Sequence, residues 1–332
     1  MRTIEWRQDH AVVIDQTRLP HDLVRLEVHD VDTMIDAIKR LAIRGAPAIG
    51  VAGAFAVAMA AQQAARDSLG DGFVEAEAAR VAAARPTAVN LSWAVRRVLA
   101  RLVEGADAVV AEAVEIAEED IRTNRALAQR GAELLEALGG TSLRVHTHCN
   151  TGGLACVEWG TALGIVRALH ERGHLQSVTA DETRPLLQGT RLTSFELVQL
   201  GIDHRIVVDG AGPSVIARGL ADAVVVGADR VAANGDVANK IGTYPLALAA
   251  ARAGIPFVVA APESTLDRAT ASGADIEIEE RDEAEVLGIG ERRMAPAGSR
   301  ALNPAFDVTP ADLVTAIVTE RRVIRPAAGE RI

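Results

Sequence analysis

An apolar run from Ala223 to Val226 delivers Gly227, Ala228 and Asp229 to its carboxyl end, and a polar stretch then leads to Asn239 and Lys240. In an open α/β sheet, ligands bind in the crevice beyond the carboxyl ends of the strands, so these side chains are candidates for chemistry. Desolvation there favours the protonated, proton-donating form of Asp229, while a nearby cation opposes it. The plainer role is capping the next segment or pairing with Arg230. Of the 35 basic residues only Lys39 and Lys240 are lysines. A chain that uses arginine almost everywhere has thus kept one compact ammonium beside Asn239, although Lys39 reads as an ordinary helix-surface residue.

A second constellation runs from His146 through His148, Cys149 and Asn150 to Thr151, Gly152 and Gly153, where a strand is expected to end and a helix over residues 154–171 to begin. Backbone N–H groups at Thr151, Gly152 and Gly153 would then cradle a phosphate at the positive helix end. The same field would favour the thiolate of Cys149, the form that acts as base or nucleophile; the alternative is a small buried hydrophobe. Cys156, placed two turns inside that helix, reads as core. A metal at His146, His148 and Cys149 lacks a second ligand cluster to complete it, so none is expected. After the next strand, Gln188 sits in a loop with Arg184 and Arg191 and suits a sugar hydroxyl or phosphate oxygen, whereas the arginines suit either substrate or local acids. Arg44, Gly45 and Ala46 stand at a helix start as a possible phosphate clamp or a helix-breaking turn, and Arg85 precedes Pro86 without a clearer role.

These residues need elements to hold them. The first third reads as two short strands over 11–15 and 23–28, then helices: one capped by Asp32, one opened by Pro47 and apolar almost all round over 48–65, one beginning at Asn90 or Ser92, and a long Ala-rich one over 106–138. From residue 143 the pattern alternates apolar runs with helical segments, the signature of a parallel sheet with covering helices. Expected strands are 143–147, 177–180, 205–208, 223–226 and 256–260, with an edge strand over 275–279 where isoleucine alternates with charge. The fold class is therefore α/β, a Rossmann-like parallel sheet domain over 129–332 preceded by a mainly helical domain over 1–128 with a few short strands.

The 332 residues exceed what one core usually organises, and a formal net charge of −10 argues against nucleic acid or an anionic membrane as partner. No signal-peptide pattern or convincing membrane span is read, and two cysteines suit a reducing compartment, so a cytoplasmic protein is expected.

The segments Arg44-Gly-Ala-Pro-Ala-Ile-Gly50, His148-Cys-Asn-Thr-Gly152, Glu182-Thr-Arg-Pro with Gln188-Gly-Thr-Arg191, Gly227-Ala-Asp-Arg with Asn239-Lys-Ile-Gly-Thr243, and Asn303-Pro-Ala-Phe-Asp-Val-Thr-Pro310 together resemble the 5-methylthioribose-1-phosphate isomerases. The resemblance covers nearly the whole chain. It implies a cofactor-free aldose–ketose isomerisation of a small sugar phosphate in methionine salvage, with Cys149 and Asp229 catalytic and Arg44, Gly45, Ala46, Arg85, Gln188, Asn239 and Lys240 binding substrate. It also implies a homodimer. Gly153 and Cys156 stand where alanine and threonine are commoner in that family, which leaves 5-deoxyribose 1-phosphate open as a substrate. Within the wider superfamily, a ribose-1,5-bisphosphate isomerase and a non-enzymatic initiation factor 2B-like regulatory subunit are the alternatives.

Overall fold

The structure, a computed structural model, describes residues 1–85, 89–290 and 292–332. The chain divides into two compact units: Met1–Arg125 with Thr151–Gly160, and Ala126–Asn150 with Thr161–Ile332. The separate assignment of residues 151–160 is not visible in the sequence, which suggests a single crossing near residue 128.

In the first unit β1 (Ile4–Arg7), β2 (His10–Ile14) and β3 (Arg25–Val28) form an antiparallel meander, with β1 additional to the two expected strands. Helices α1 (Val31–Lys39), α2 (Ala46–Asp67), α3 (Asp71–Ala82) and α4 (Val89–Leu99) follow, then α5 (Ala106–Gly139), which contains the division at Arg125. The cap of α1 is Asp30, not Asp32: its carboxylate accepts from the Thr33 N–H at 2.7 Å, and Asp32 lies in the first turn, where its charge complements the helix dipole. Pro47 opens α2 as expected, because a first-turn position needs no N–H. α2 has the length and apolarity to cross a membrane, yet 83% of its most apolar window is buried inside the protein. Its small residues bring α4 close: Gly50 lies against the Asn90 backbone.

The second unit is built on a seven-stranded sheet. Its strands are β4 (Leu143–Thr147), β5 (Leu175–Asp181), β6 (His204–Val207), β7 (Ala223–Val226), β10 (Phe257–Ala260), β15 (Ala316–Val318) and β16 (Val323–Ile324), in the order β16-β15-β10-β7-β4-β5-β6. All neighbours pair in parallel except the β15–β16 hairpin. Helices α6 (Ala162–Glu171), α7 (Ser194–Gln199), α8 (Gly212–Ala217) and α9 (Thr243–Ala253) alternate with the strands. A smaller sheet joins β8 (Arg230–Ala232), β9 (Val237–Lys240), β11 (Leu266–Asp267) and β14 (Phe306–Thr309), and β12 (Gly288–Ile289) pairs with β13 (Arg292–Arg293). The expected strand over 275–279 is absent: Asp275 ends a 3₁₀ turn, and only Glu280 bridges, to Pro304. Alternation of isoleucine and charge supplies one apolar face but no partner strand, and the sheet is completed instead by β15 and β16, runs of three and two residues too short to stand out.

Candidate active site

The central strands bring the candidate residues of the second unit to one edge. Cys149 lies two residues beyond β4, Asp229 three beyond β7, and Asp181 ends β5; β7, β4 and β5 are adjacent and parallel, so all three arrive at the carboxyl ends of neighbouring strands. Cys149 is buried at 6% exposure with φ at 60°, a left-handed conformation that a non-glycine residue adopts only at a cost. It is fixed on both sides. Its N–H donates to Thr183 Oγ1 at 2.9 Å and its carbonyl accepts from Thr193 Oγ1 at 2.5 Å. Asn150 next to it donates to Glu196 at 2.7 Å.

Asp229 is half-buried, and its N–H donates to the Ala238 carbonyl at 3.0 Å, which ties the end of β7 to the residue before Asn239. The neighbouring Arg230 guanidinium reaches Asp267 at 3.6 Å. Asn239 and Lys240 end β9, paired with Asp307 and Phe306 on β14. The Asn239 amide donates to Thr243 Oγ1 at 2.9 Å, and Lys240 Nζ donates to the Ala305 carbonyl at 2.8 Å while lying 4.4 Å from the Phe306 ring centre. Immediately afterwards Gly242, at φ 105°, starts α9 under the His148 ring, where an added Cβ would come within 2.7 Å of Cε1. Burial pushes the Asp307 carboxyl up, against the N–H groups of Tyr244 and Gly242 that it accepts.

Gln188 and Lys240 line one pocket with Pro185, Leu186, Ile241 and Arg281. Gln188 Oε1 is buried and has no hydrogen-bond partner among the described residues. Arg281, which the sequence reading missed, is held by Glu279 and Glu285. A lone arginine inside an acidic run carries no distinguishing local signal. The Arg184 guanidinium donates to the carbonyls of Pro185, Glu285, Val286 and Gly288, an anchoring role.

Arg44, Gly45, Ala46, Arg85, Thr151, Gly152 and Gly153 belong to the first unit. Gly45, at φ 89°, packs directly on the segment that follows Cys149: a Cβ there would stand 2.4 Å from the Ala155 carbonyl oxygen. Thr3 Oγ1 donates to the Gly153 carbonyl at 2.7 Å and Gln16 Nε2 to that of Leu154 at 2.7 Å, so the Arg44 turn and the Thr151–Gly153 turn are brought together. The helix N-terminus expected at Thr151 to Gly153 is not there. Gly153–Ala155 form a single 3₁₀ turn, Cys156 is extended at its end, and the α-helix begins at Ala162. Gly160 presses on the Gly152 backbone, a close packing that local helix propensity does not foresee.

His146 and His148 both turn to Asp181. His148 Nδ1 lies 2.8 Å and His146 Nε2 3.2 Å from its carboxylate oxygens, and all three side chains are essentially solvent-free. Burial alone would raise the Asp181 carboxyl, but the close approach of both histidines, His148 through a hydrogen bond, outweighs it and holds it below the usual carboxylate range. The ligand-type atoms that come within 4.8 Å of one another here are those of His148, Asp181 and Asp209, and Cys149 is not among them. Asp209 is already the acceptor for the N–H groups of Thr183 and Arg184.

A parallel sheet with a cysteine and an aspartate at the carboxyl ends of adjacent central strands defines a Rossmann-like α/β protein, a class that binds ligands beyond the strand ends. The chain belongs to the initiation factor 2 subunit family, whose model matches residues 42–326. It is 58% identical over 324 residues to a probable bifunctional methylthioribose-1-phosphate isomerase/methylthioribulose-1-phosphate dehydratase of Nocardia farcinica, covering 97% of this chain but 59% of that longer protein. It is 54% identical to a methylthioribose-1-phosphate isomerase of an Anaeromyxobacter species, covering 97% of this chain and 93% of the relative. The crystal structure of 5-methylthioribose 1-phosphate isomerase from Pyrococcus horikoshii matches with a TM-score of 0.90 at 41% identity, over 98% of this chain and 92% of that one.

Proposed function

We propose that the protein is an aldose–ketose isomerase that converts 5-methylthio-D-ribose 1-phosphate to 5-methylthio-D-ribulose 1-phosphate in methionine salvage. The observation that carries this reading is the arrival of Cys149 and Asp229 at the carboxyl ends of the adjacent parallel strands β4 and β7. The names of the full-length relatives support it.

The phosphate on the anomeric oxygen prevents ring opening by loss of a hydroxyl proton. Asp229 protonates the ring oxygen as its bond to C1 breaks, and hydrogen then passes from C2 to C1 with Cys149 in attendance. Either Cys149 thiolate removes the C2 proton, giving a cis-enediol that is reprotonated at C1, or a hydride shifts directly from C2 to C1 and the O2 proton leaves. The substrate-binding residues are Arg44, Gly45, Ala46, Arg85, Gln188, Asn239 and Lys240. The buried, unpartnered Gln188 Oε1 supports its share of that role. The protein acts in the cytoplasm as a homodimer and takes 5-deoxyribose 1-phosphate as a second substrate.

The test is incubation with 5-methylthioribose 1-phosphate, 5-deoxyribose 1-phosphate and ribose 1,5-bisphosphate, followed by NMR. Ketose from the methylthio sugar is expected; conversion of the bisphosphate alone would reassign the substrate. The family's own description as an initiation factor subunit favours a second reading, a non-catalytic regulatory subunit. No turnover of any of the three would select it. Cys149→Ser and Asp229→Asn are each expected to lose about 100-fold or more in kcat while remaining folded, and near-wild-type rates in both would sink the assigned roles.

A further inference from the structure

His148 is buried at 0% exposure, and both of its ring nitrogens face acceptors: Nδ1 the Asp181 carboxylate at 2.8 Å and Nε2 the Ile241 carbonyl at 2.8 Å. A carbonyl oxygen cannot donate, and the Asp181 carboxyl is held in its ionised form, so each nitrogen must carry a hydrogen. A neutral imidazole has only one. The ring therefore links the end of β4 to the end of β5 through one N–H and to the turn between Lys240 and α9 through the other. The backbone continues the same connection: Thr183 Oγ1 accepts from the Cys149 N–H at 2.9 Å and lies 3.2 Å from the Asp181 carbonyl, to which it donates. His146 Nε2, on the second carboxylate oxygen, completes the charge environment of Asp181, while Asp307, which caps the N–H groups of Gly242 and Tyr244, is the acid on the far side of the turn.

We propose that His148 is a positioning residue: a buried imidazolium that, with Asp181, locks the left-handed Cys149 backbone to the Ile241–Gly242 turn, so that Cys149 and the Asn239–Lys240 pair keep one fixed spacing. A buried charge is tolerated where a counter-charge and hydrogen bonds both satisfy it, as Asp181 and the Ile241 carbonyl do here. Only the kinetic part of the proposal rests on the isomerase reading.

The ionic state is tested on the wild-type protein with ¹⁵N-labelled histidine. One histidine with two slowly exchanging ring N–H protons is expected; if every buried ring shows a single one, the proposal is overturned whatever the enzyme's activity. For positioning, His148→Gln, which cannot donate in both directions with the same geometry, is expected to lower kcat by about 100-fold with KM changed less than about threefold. Wild-type kcat in the folded variant would overturn it. If the variant does not fold, the wild-type spectrum still decides the protonation claim, and Thr183→Val, which leaves the ion pair intact and removes the hydroxyl that joins the Cys149 N–H to the Asp181 carbonyl, decides the positioning claim by the same kcat-against-KM comparison. Absence of turnover in the wild type would remove the isomerase reading and leave the spectrum to be judged on its own.

Discussion

Asp120 in the first unit and Asp181 in the second show what one burial cost becomes with and without a cation. Asp120, on α5, has a deeply placed carboxyl although the residue as a whole is only half-covered; it accepts from the Val157 N–H at 2.9 Å and from the Asn124 amide at 2.9 Å. Neutral donors do not offset its desolvation, which pushes it up to about 7. Asp181 is buried at 1% exposure, but two imidazoles face it and its carboxyl moves the other way. Hydrogen bonds alone are therefore insufficient at Asp120, and the histidines decide the outcome at Asp181. One carboxyl holds a loop in place; the other organises a strand-end constellation.

The largest effect is expected from breaking the ion pair. Asp181→Asn leaves two buried imidazoles without their counter-charge and should cost about 3 kcal/mol or more at neutral pH, read by denaturant unfolding. Because the Asp181 carboxyl is depressed in the folded state, its contribution is present above the unfolded value and is lost as pH falls through the lower folded one. The gap between wild type and variant should therefore narrow toward acid; a gap independent of pH would break the contrast. Asp120 carries the opposite sign. Its folded value of about 7 lies above the unfolded one, so the stability it contributes is complete at acid pH and declines as pH rises through the window up to about 7. Asp120→Asn should flatten the change in Tm between pH 5 and pH 8, and an unchanged slope would show that the carboxyl is not the source. The smallest effect is expected from Asn124→Ala, which removes one donor to Asp120: about 1 kcal/mol of stability, with a steeper loss toward alkaline pH. A shallower loss would mean that Asn124 does not favour the charged form.

Much of the sheet was legible because its central strands β7 and β10 are short apolar runs buried on both faces. Residues 143–147 and 223–226 are strands with the ends expected of them, and the expected strands over 177–180, 205–208 and 256–260 shift by no more than two residues. Their carboxyl ends place Cys149 and Asp229, so two chemically competent residues could be singled out locally. The errors arise where partners lie far away in sequence. Residues 275–279 have strand periodicity and no strand to pair with, and the helix expected from residue 154 is replaced by a tight turn whose neighbours are Gly45, Thr3 and Gln16. Arg184 was ambiguous because its four carbonyl partners include three about a hundred residues away.

Composition, apolar periodicity and the motifs at strand ends by themselves determined an α/β chain and singled out Cys149, Asp229, Asn239 and Lys240 as candidates, since those signals act within a few residues of where they are read. Tertiary structure alone decided that His146 and His148 share Asp181, that Cys149 is held in a left-handed conformation between two threonines, and that residues 151–160 join the first unit. The physical reason is the range of the interactions. Burial of an apolar run is specified by its own pattern, whereas a hydrogen bond to a buried charge depends on which distant backbone the fold brings within about 3 Å.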